Sequence, residues 1–217
     1  MNDENTKKYK IFEKCNIHSS VIICDYAIIG KKYRKLLDGI QENYEDTIIG
    51  PNNYIGYGSI IGTGCQLSGN VIVDDMCLLE SRVIIGENTL ITHRAQVCND
   101  VEIGKNCVIG GFIAERTLVG NSSRIFGRIV HKQDNPCCGW DDDESTEQSP
   151  VIKNNVFIGF DALIIGGVTL DSNSYICAGA IVTKDVPSNH IVKGINQMIR
   201  CSTWNGCMSK SKHFKLE

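Results

Sequence analysis

One histidine stands where the chain interrupts its own regular pattern. An aliphatic residue returns every six positions through most of the sequence, yet Val, Ile and Leu are absent from His131 to Pro150. An imidazole accepts and releases a proton near neutral pH, so His131 is a candidate for proton transfer. Loops of this length are uncommon in compact domains unless they are functional, which makes the 131–150 segment a candidate active-site loop.

The 131–150 loop is acidic and contains one tryptophan. Its Asp and Glu residues, among them Asp134, stand against the single Lys132, and its aromatic residue is Trp140. We expect the loop to reach a neighbouring subunit and to form one wall of a substrate pocket, with Asp134 and Trp140 contacting the substrate. The alternative is a solvated insertion that plays no part in binding.

A second histidine has a carboxylate at the repeat distance. Asp75 precedes His93 by three six-residue steps, so both side chains are expected on one outer face, where the carboxylate would fix the tautomer of the ring. Counting along the chain puts His131 on the same face, about 10 Å from His93. His93 is therefore expected to line the acceptor pocket. Beside it, Glu115 and Arg116 would contact a hydroxyl-rich or cationic acceptor, or they form only a charged corner.

A six-residue repeat defines the elements that must position these side chains. The markers are Ile49, Ile55, Ile61, Leu67, Val73, Leu79, Ile85, Ile91, Val97, Ile103 and Ile109, then Ile152, Ile158, Ile164, Leu170, Ile176 and Val182. The residue four positions after a marker is nearly always small or β-branched. A period of six matches neither an α-helix nor a plain alternating strand, but it fits short strands joined by tight corners, three to a coil of 18 residues.

Three further features interrupt the repeat. Apolar residues at helical spacing predict a helix over 31–47. The marker series breaks at Glu115 and resumes at Val119, four residues late, which predicts a small bulge at that corner. After Pro187 the sequence predicts a weakly helical C-terminal extension over 188–217. We interpret the whole chain, 1–217, as a single domain with these excursions.

Composition narrows the class of protein. The 217 residues carry a net charge of −3, which argues against nucleic acid as the main partner. The first residues are polar and no apolar run is long enough to span a membrane, so we expect a cytoplasmic protein. Most of the 11 cysteines fall at the small inward position or just after a marker, which indicates small buried hydrophobic residues rather than disulfides or metal ligands.

Two segments near the C-terminal end of the repeat are more specific. They read SPVIKNNVFIGFDALIIGGVTL over 149–170 and AGAIVTKDVP over 178–187. Together with the repeat itself, they resemble the hexapeptide-repeat acyltransferases. The resemblance implies an all-β fold, a left-handed parallel β-helix. It also implies acyl-CoA as co-substrate, no metal, and a homotrimer with sites between subunits.

The resemblance assigns roles around the loop. His131 matches the general base that begins such a loop, with His93 as the less favoured alternative. A thioester needs little further machinery beyond positioning and a donor for the oxyanion, which a backbone N–H near Gly166 and Gly167 would provide. Gly159 is assigned to the CoA site.

Four more positions match the CoA site of the family. Ala178 would lie along the pantetheine arm, Thr183 and Lys184 near the nucleotide, and Arg200 at its phosphates. The sequence departs from the family at Phe157, where tryptophan is usual, and at 194–197, where a Gly-Asn-Pro motif is replaced.

Within the family, the chain most resembles enzymes that acylate nucleotide-linked amino sugars. We therefore expect CoA-dependent transfer of an acetyl or similar short acyl group to an amino group. An O-acetyltransferase that acts on a sugar or antibiotic hydroxyl is the nearest alternative. A zinc protein of the γ-carbonic anhydrase type would need three histidine ligands, and a non-catalytic scaffold would tolerate loss of His131.

Overall fold

The computed structural model describes residues 8–32, 45–131 and 148–203, which form a three-sided column of short strands. The strands of each side stack into one sheet, and the chain visits the three sheets in turn as it climbs the column. Every pairing between strands is parallel except the last one, which joins the final two strands in antiparallel fashion.

Each sheet collects every third strand of the chain. The first sheet contains β1 (Lys10–Ile11), β4 (Ile28–Lys31), β7 (Ile60–Gly62), β10 (Leu78–Leu79), β13 (Gln96–Val97), β16 (Phe112–Ile113), β19 (Arg128–Val130), β22 (Leu163–Ile165) and β25 (Ile181–Val182). The second contains β2 (Cys15–Ile17), β5 (Thr47–Ile49), β8 (Gln66–Leu67), β11 (Ile84–Ile85), β14 (Glu102–Ile103), β17 (Leu118–Val119), β20 (Val151–Ile152) and β23 (Thr169–Leu170).

The third sheet closes the column. It contains β3 (Ile22–Ile23), β6 (Tyr54–Ile55), β9 (Ile72–Val73), β12 (Leu90–Ile91), β15 (Val108–Ile109), β18 (Arg124–Ile125), β21 (Phe157–Ile158), β24 (Tyr175–Ile176), β26 (His190–Lys193) and β27 (Gln197–Arg200). A single 3₁₀ turn follows at Cys201–Thr203.

The predicted coil of 18 residues is confirmed by the strand register. Leu79 pairs with Val97 and Ile85 pairs with Ile103, so each marker stacks on the marker 18 residues away. The markers from Ile49 to Val182 are buried and form one continuous core with the small residues that lie four positions after them. Burial of these aliphatic stacks is the main source of stability in such a column, because each coil buries its apolar face only against its neighbours.

The corners explain why asparagine recurs in the sequence. Asn52, Asn70 and Asn88 follow strands of the second sheet and adopt left-handed backbone angles, with φ of 57°, 58° and 58°. Asparagine tolerates this region better than most residues. Their side chains also bond along the corner, from Asn52 Nδ2 to Asn70 Oδ1 at 3.3 Å and from Asn70 Nδ2 to Asn88 Oδ1 at 3.2 Å.

The predicted bulge at Glu115 is wrong. The irregular corner lies elsewhere in the chain, and it lacks residues instead of containing extra ones. Val97 pairs with Ile113, so this coil is two residues shorter than the others, and the shortened corner lies at Gly110 and Gly111. A second corner is shortened in the same way between Ile125 and Ile129. Glu115 itself occupies an ordinary six-residue step from Ile113 to Val119.

Two predictions of helix need correction. Lys31 ends β4 and Thr47 begins β5, so the predicted 31–47 helix is wrong at both bounds, and its central part, 33–44, lies outside the described residues. The extension after Pro187 is not helical up to Arg200, because β26 adds to the third sheet beside β24 and β27 folds back on β26. Within the described ranges, no helix is long and apolar enough to cross a membrane.

The described cysteines behave as small hydrophobic residues. Seven of them carry free thiols, and Cys65, Cys77, Cys98 and Cys107 are buried. Burial raises the pKa of the Cys65 thiol to about 12 and that of Cys77 to about 11. Such thiols stay protonated near neutral pH and are poor nucleophiles. The prediction of buried packing residues is therefore confirmed for these four, whereas Cys15, Cys24 and Cys177 are only half-buried.

Candidate active site

His131 lies at the corner that leads from the first sheet to the second. It follows β19, and the strand register places Glu115 one coil below it and Asn99 one coil below Glu115, each two residues after its marker. These three residues therefore form a line along one edge of the column, at the spacing of about 4.8 Å that separates paired strands. We call this edge the His131 corner.

The imidazole of His131 is held through its Nε2 atom. Nε2 lies 2.9 Å from the backbone carbonyl oxygen of Glu115. A carbonyl oxygen can only accept a hydrogen bond, so the ring must carry a proton on Nε2. In the neutral ring this leaves the lone pair on Nδ1, which is the atom suited to accept a proton from a substrate.

Ser149 completes the contact at the base of the loop. Its Oγ donates to the same Glu115 carbonyl oxygen at 2.7 Å and lies 3.4 Å from His131 Nε2. His131 and Ser149, which lie on either side of residues 132–147, thus share a single acceptor. The contact of Ser149 was not predicted, because no repeat spacing links Ser149 to His131: the residue one coil above His131 is Gly166.

A polar ladder below His131 fixes Glu115 at its other end. Asn99 Nδ2 donates to Glu115 Oε1 at 3.0 Å, and Asn99 Oδ1 accepts from the Ser81 backbone N–H at 3.0 Å. Both the carbonyl and the carboxylate of Glu115 are therefore engaged. The ladder ties the orientation of His131 to three successive coils of the column.

The face beside this ladder is acidic and half-buried. Burial raises the pKa of the Glu80 carboxyl, and repulsion from the Glu115 carboxylate adds to the effect. Burial, followed by the charges of Glu80 and Glu115, raises the pKa of the Cys98 thiol to about 12. Nearby, Arg82 forms a two-point contact with the carboxylate of Asp100, at 2.6 and 2.7 Å.

We expect Glu80→Gln to stabilise the protein at pH 7. Because folding raises the pKa of Glu80 above its usual 4.5, the protonated carboxyl stabilises the fold at low pH, and this contribution is lost as the pH rises through the folded-state value. The Gln amide, in contrast, is uncharged at every pH, so it never carries the buried charge of the ionised carboxylate. Thermal unfolding should therefore show a higher Tm for the variant at pH 7 and a smaller difference near pH 4.

Glu102→Gln is the matched control for that change, since Glu102 is exposed on the second sheet. It should alter the Tm less than Glu80→Gln does. A Glu80→Gln variant that is less stable than the parent at pH 7, or equally stabilised at both pH values, would contradict the electrostatic account of this face.

Gly166 and Gly167 lie on the His131 corner, one coil above His131. The Gly166 N–H donates to the Val130 carbonyl at 3.0 Å, which removes it as a donor for an oxyanion. No described residue accepts a bond from the Gly167 N–H. Gln148 packs directly against Gly167, where a Cβ would collide with the Gln148 side chain, so only glycine fits beneath the returning chain.

The residues assigned to CoA divide between two edges of the first sheet. Thr183 directly follows β25, and Lys184 lies on the His131 corner, one coil above Gly166. Both residues are exposed. Thr183 is tied to Asn196, whose Oδ1 accepts from its N–H and whose Nδ2 donates to its Oγ1, both at 2.8 Å. The structure therefore brings Thr183 and Lys184 to the side of the column that carries His131.

The remaining assigned residues follow the third sheet. Gly159 and Ala178 lie on adjacent coils, and a Cβ on Gly159 would come within 2.6 Å of the Ala178 nitrogen. Arg200 is exposed at the end of β27, paired with His190. Beside Gly159, Phe160 is 65% exposed and stacks on Phe126 with ring centroids 4.7 Å apart.

The expected shared face of His93 and His131 is wrong. His93 follows β12 in the third sheet, whereas His131 follows β19 in the first, so the two lie on different corners. The count along the sequence took Val119 as the marker after Ile109, but Ile113 lies between them, so every later residue was assigned to the preceding sheet. Asp75 does stack one coil below His93, as Val73 pairs with Ile91, but its Oδ1 accepts from the Tyr57 N–H at 2.8 Å.

The other predicted contacts have different outcomes. Glu115 and Arg116 lie directly below His131 and are half-buried. Asp134 and Trp140 lie outside the described residues, so their contact with substrate stays a prediction, as does that of His93. Among residues 8–32, 45–131 and 148–203, no three His, Cys, Asp or Glu side chains converge as a metal site requires.

Comparisons with known proteins agree with this architecture. Residues 82–112 match the family described as bacterial transferase hexapeptide (six repeats). The fold resembles the crystal structure of Arabidopsis UDP-N-acetylglucosamine acyltransferase, with a TM-score of 0.53, 15% identity, and coverage of 94% of this chain and 80% of that one. The chain is therefore a hexapeptide-repeat protein, and its column is a left-handed parallel β-helix.

Sequence relatives are bifunctional GlmU proteins of Clostridium botulinum. The protein of strain Loch Maree is 26% identical over 227 positions, which cover 88% of this chain and 50% of the relative. That of strain Langeland is 31% identical over 180 positions, which cover 73% of this chain and 39% of the relative. The chain thus spans about half the length of the relatives it matches, or less.

Proposed function

We propose that this protein is a CoA-dependent acyltransferase that moves an acetyl or similar short acyl group to the amino group of a sugar. The acceptor is a nucleotide-linked amino-deoxy sugar, and His131 is the general base. The observation that carries the proposal is the tethered imidazole: the Nε2–H of His131 is bound to the Glu115 carbonyl oxygen at the corner where Ser149 bonds to the same oxygen. The resemblance to a protein named UDP-N-acetylglucosamine acyltransferase supports a nucleotide-linked sugar as the acceptor.

The reaction needs one proton carrier and one oxyanion donor. The amine nitrogen attacks the thioester carbonyl carbon, and the lone pair of His131 Nδ1 accepts the proton that the nitrogen sheds. The Gly167 N–H stabilises the negative charge on the carbonyl oxygen. The C–S bond then breaks, and the imidazolium returns its proton to the departing CoA sulfur, so that the protein ends in its starting state.

The donor site combines exposed groups from the corner above His131 with others along the third sheet. Lys184 and Arg200 provide positive charge for the phosphates of CoA, and Thr183 and Ala178 border the path of the nucleotide and the pantetheine arm. Because Gly159 has no side chain, the backbone at this position can lie close to the CoA on that path. Glu115, Arg116 and, from the loop, Asp134 and Trp140 contact the acceptor.

We also propose a cytoplasmic homotrimer with each site shared between subunits. Exposed apolar side chains on the third sheet, such as Ile22 at 61% and Ile72 at 45% exposure, provide surface that association would cover. Analytical ultracentrifugation tests this assembly: a species of three chains supports it, and a stable monomer at micromolar concentration would refute it.

An acceptor panel tests the function. Acetyl-CoA is incubated with a UDP-linked amino sugar and, as the matched control, with the same nucleotide sugar bearing a hydroxyl in place of the amine. Thiol release is followed colorimetrically, and reactions without acceptor correct for the thiols of the protein. Release with the amine alone supports N-acylation, whereas release with the hydroxyl alone assigns an O-acetyltransferase. No release with any acceptor, together with no CoA binding by calorimetry, would overturn the enzymatic proposal.

A further inference from the structure

We propose that Ser149 is a positioning residue that holds His131 in the tautomer needed for proton transfer. Only the expected effect of Ser149 on the reaction rate depends on the proposed function. Its structural claim concerns three groups in mutual contact: the Glu115 carbonyl, the Ser149 hydroxyl and the His131 ring.

The hydroxyl proton of Ser149 is already committed. Ser149 Oγ donates to the Glu115 carbonyl oxygen at 2.7 Å, and a hydroxyl has only one proton to give. Toward His131 Nε2, 3.4 Å away, Ser149 Oγ can therefore present only lone pairs. Two oxygen atoms with acceptor character thus face the same ring nitrogen.

This arrangement discriminates between the two neutral forms of the ring. With the proton on Nε2, the ring donates to the Glu115 carbonyl and is electrostatically favoured by the Ser149 oxygen. With the proton on Nδ1, the Nε2 lone pair would face the Glu115 carbonyl oxygen without a hydrogen between them. Ser149 could then donate to Nε2 only by giving up its bond to that carbonyl, which would leave the carbonyl without either donor in a half-buried site. Ser149 therefore adds to the preference for the Nε2–H tautomer that the Glu115 carbonyl creates.

Ser149 also fixes the place where the chain returns to the column. Gln148 packs against Gly167, and Ser149 bonds to Glu115, so the return is anchored to the coil above His131 and to the coil below it. The same hydroxyl that biases the ring thereby sets the position of the returning backbone. Its removal should loosen His131 without exposing the aliphatic core, from which it is separate.

The test combines a tautomer measurement with kinetics. The parent, Ser149→Ala and Ser149→Thr are labelled with ¹⁵N, and the His131 ring nitrogens are assigned by comparison with His131→Gln. Ser68→Ala is the matched control, because Ser68 is exposed directly after β8 and its side chain makes none of these contacts. We expect a protonated Nε2 in the parent, a mixture of tautomers in Ser149→Ala, and the parental state in Ser149→Thr and Ser68→Ala.

The kinetic arm measures kcat and KM for acyl transfer in the same variants. We expect kcat of Ser149→Ala to fall roughly tenfold, because a misoriented base reacts less often, while KM for acetyl-CoA stays unchanged. Ser149→Thr should restore kcat. A parental Nδ1–H tautomer, or a Ser149→Ala variant with parental spectrum and rate, would overturn the proposal. If the parent transfers no acyl group, the proposed function fails, yet the tautomer spectra still decide the role of Ser149.

Discussion

Replacing His131 by Gln is expected to lower kcat for acyl transfer by about 10²–10⁴-fold, the usual contribution of a general base. The Gln amide nitrogen can replace Nε2 as donor to the Glu115 carbonyl, so the corner should keep its structure. It has no basic nitrogen in place of Nδ1, so the amine must lose its proton to water. Steady-state kinetics with saturating acetyl-CoA and acceptor measure the loss.

His18→Gln is the control for this variant. His18 follows β2 near the other end of the column and is exposed, and its Nδ1 contacts only Ser20 within its own corner. Its kcat should match that of the parent, and both variants should bind CoA as the parent does. A His131→Gln variant that keeps kcat within threefold of the parent would remove His131 as the base.

Replacing Gly111 by Ala is expected to cause the largest loss of stability. A Cβ at this position would collide with the backbone carbonyl oxygen of Gly127 in the next coil. The neighbouring backbone cannot move away easily, because Gly127 O accepts from the Phe112 N–H and Gly111 O accepts from the Gln96 N–H. We expect the free energy of unfolding to fall by about 3 kcal/mol or more, and the Tm by about 6–12 °C.

Gly69→Ala provides the matched comparison. A Cβ on Gly69 would approach Pro51 no closer than 3.4 Å, which is an ordinary contact. Thermal unfolding by circular dichroism should show a change of less than about 1 kcal/mol for this variant. All proteins must be compared at one concentration, because association makes the Tm depend on it. Equal Tm values for the two variants would show that the shortened corner is not rigid.

The fold could be predicted from the sequence because its physics is local and periodic. A marker such as Ile85 is buried by the same geometry that buries Ile103 one coil away, so one repeat unit determines all the others. The shortened corner was the exception. A loss of two residues at Gly110 and Gly111 leaves the aliphatic series intact on both sides, and only the strand register shows where it falls.

That local error propagated into the site. The sequence placed His93 and His131 on one face, whereas the strand register puts them on different edges of the column. Similarly, the strand formed by His190–Lys193 was missed because its short apolar stretch gives no repeat of its own. A strand that pairs only with the last coil depends on tertiary contacts that periodicity does not reveal.

The residues that orient His131 were also beyond sequence reasoning. Asn99 acts through a side-chain bond to Glu115, and Ser149 through a backbone carbonyl one coil below His131. Neither residue type at these positions indicates such a contact, because serine and asparagine are ordinary at any corner of the column. The spacing becomes informative only when the register is known.

The most direct test of the account is a crystal structure of the protein with CoA bound. The account predicts the CoA sulfur beside the His131 corner, within hydrogen-bonding reach of Nδ1 directly or through one water, with Nε2 still bound to the Glu115 carbonyl. A sulfur bound along another edge of the column, or a His131 ring turned away into solvent, would contradict it.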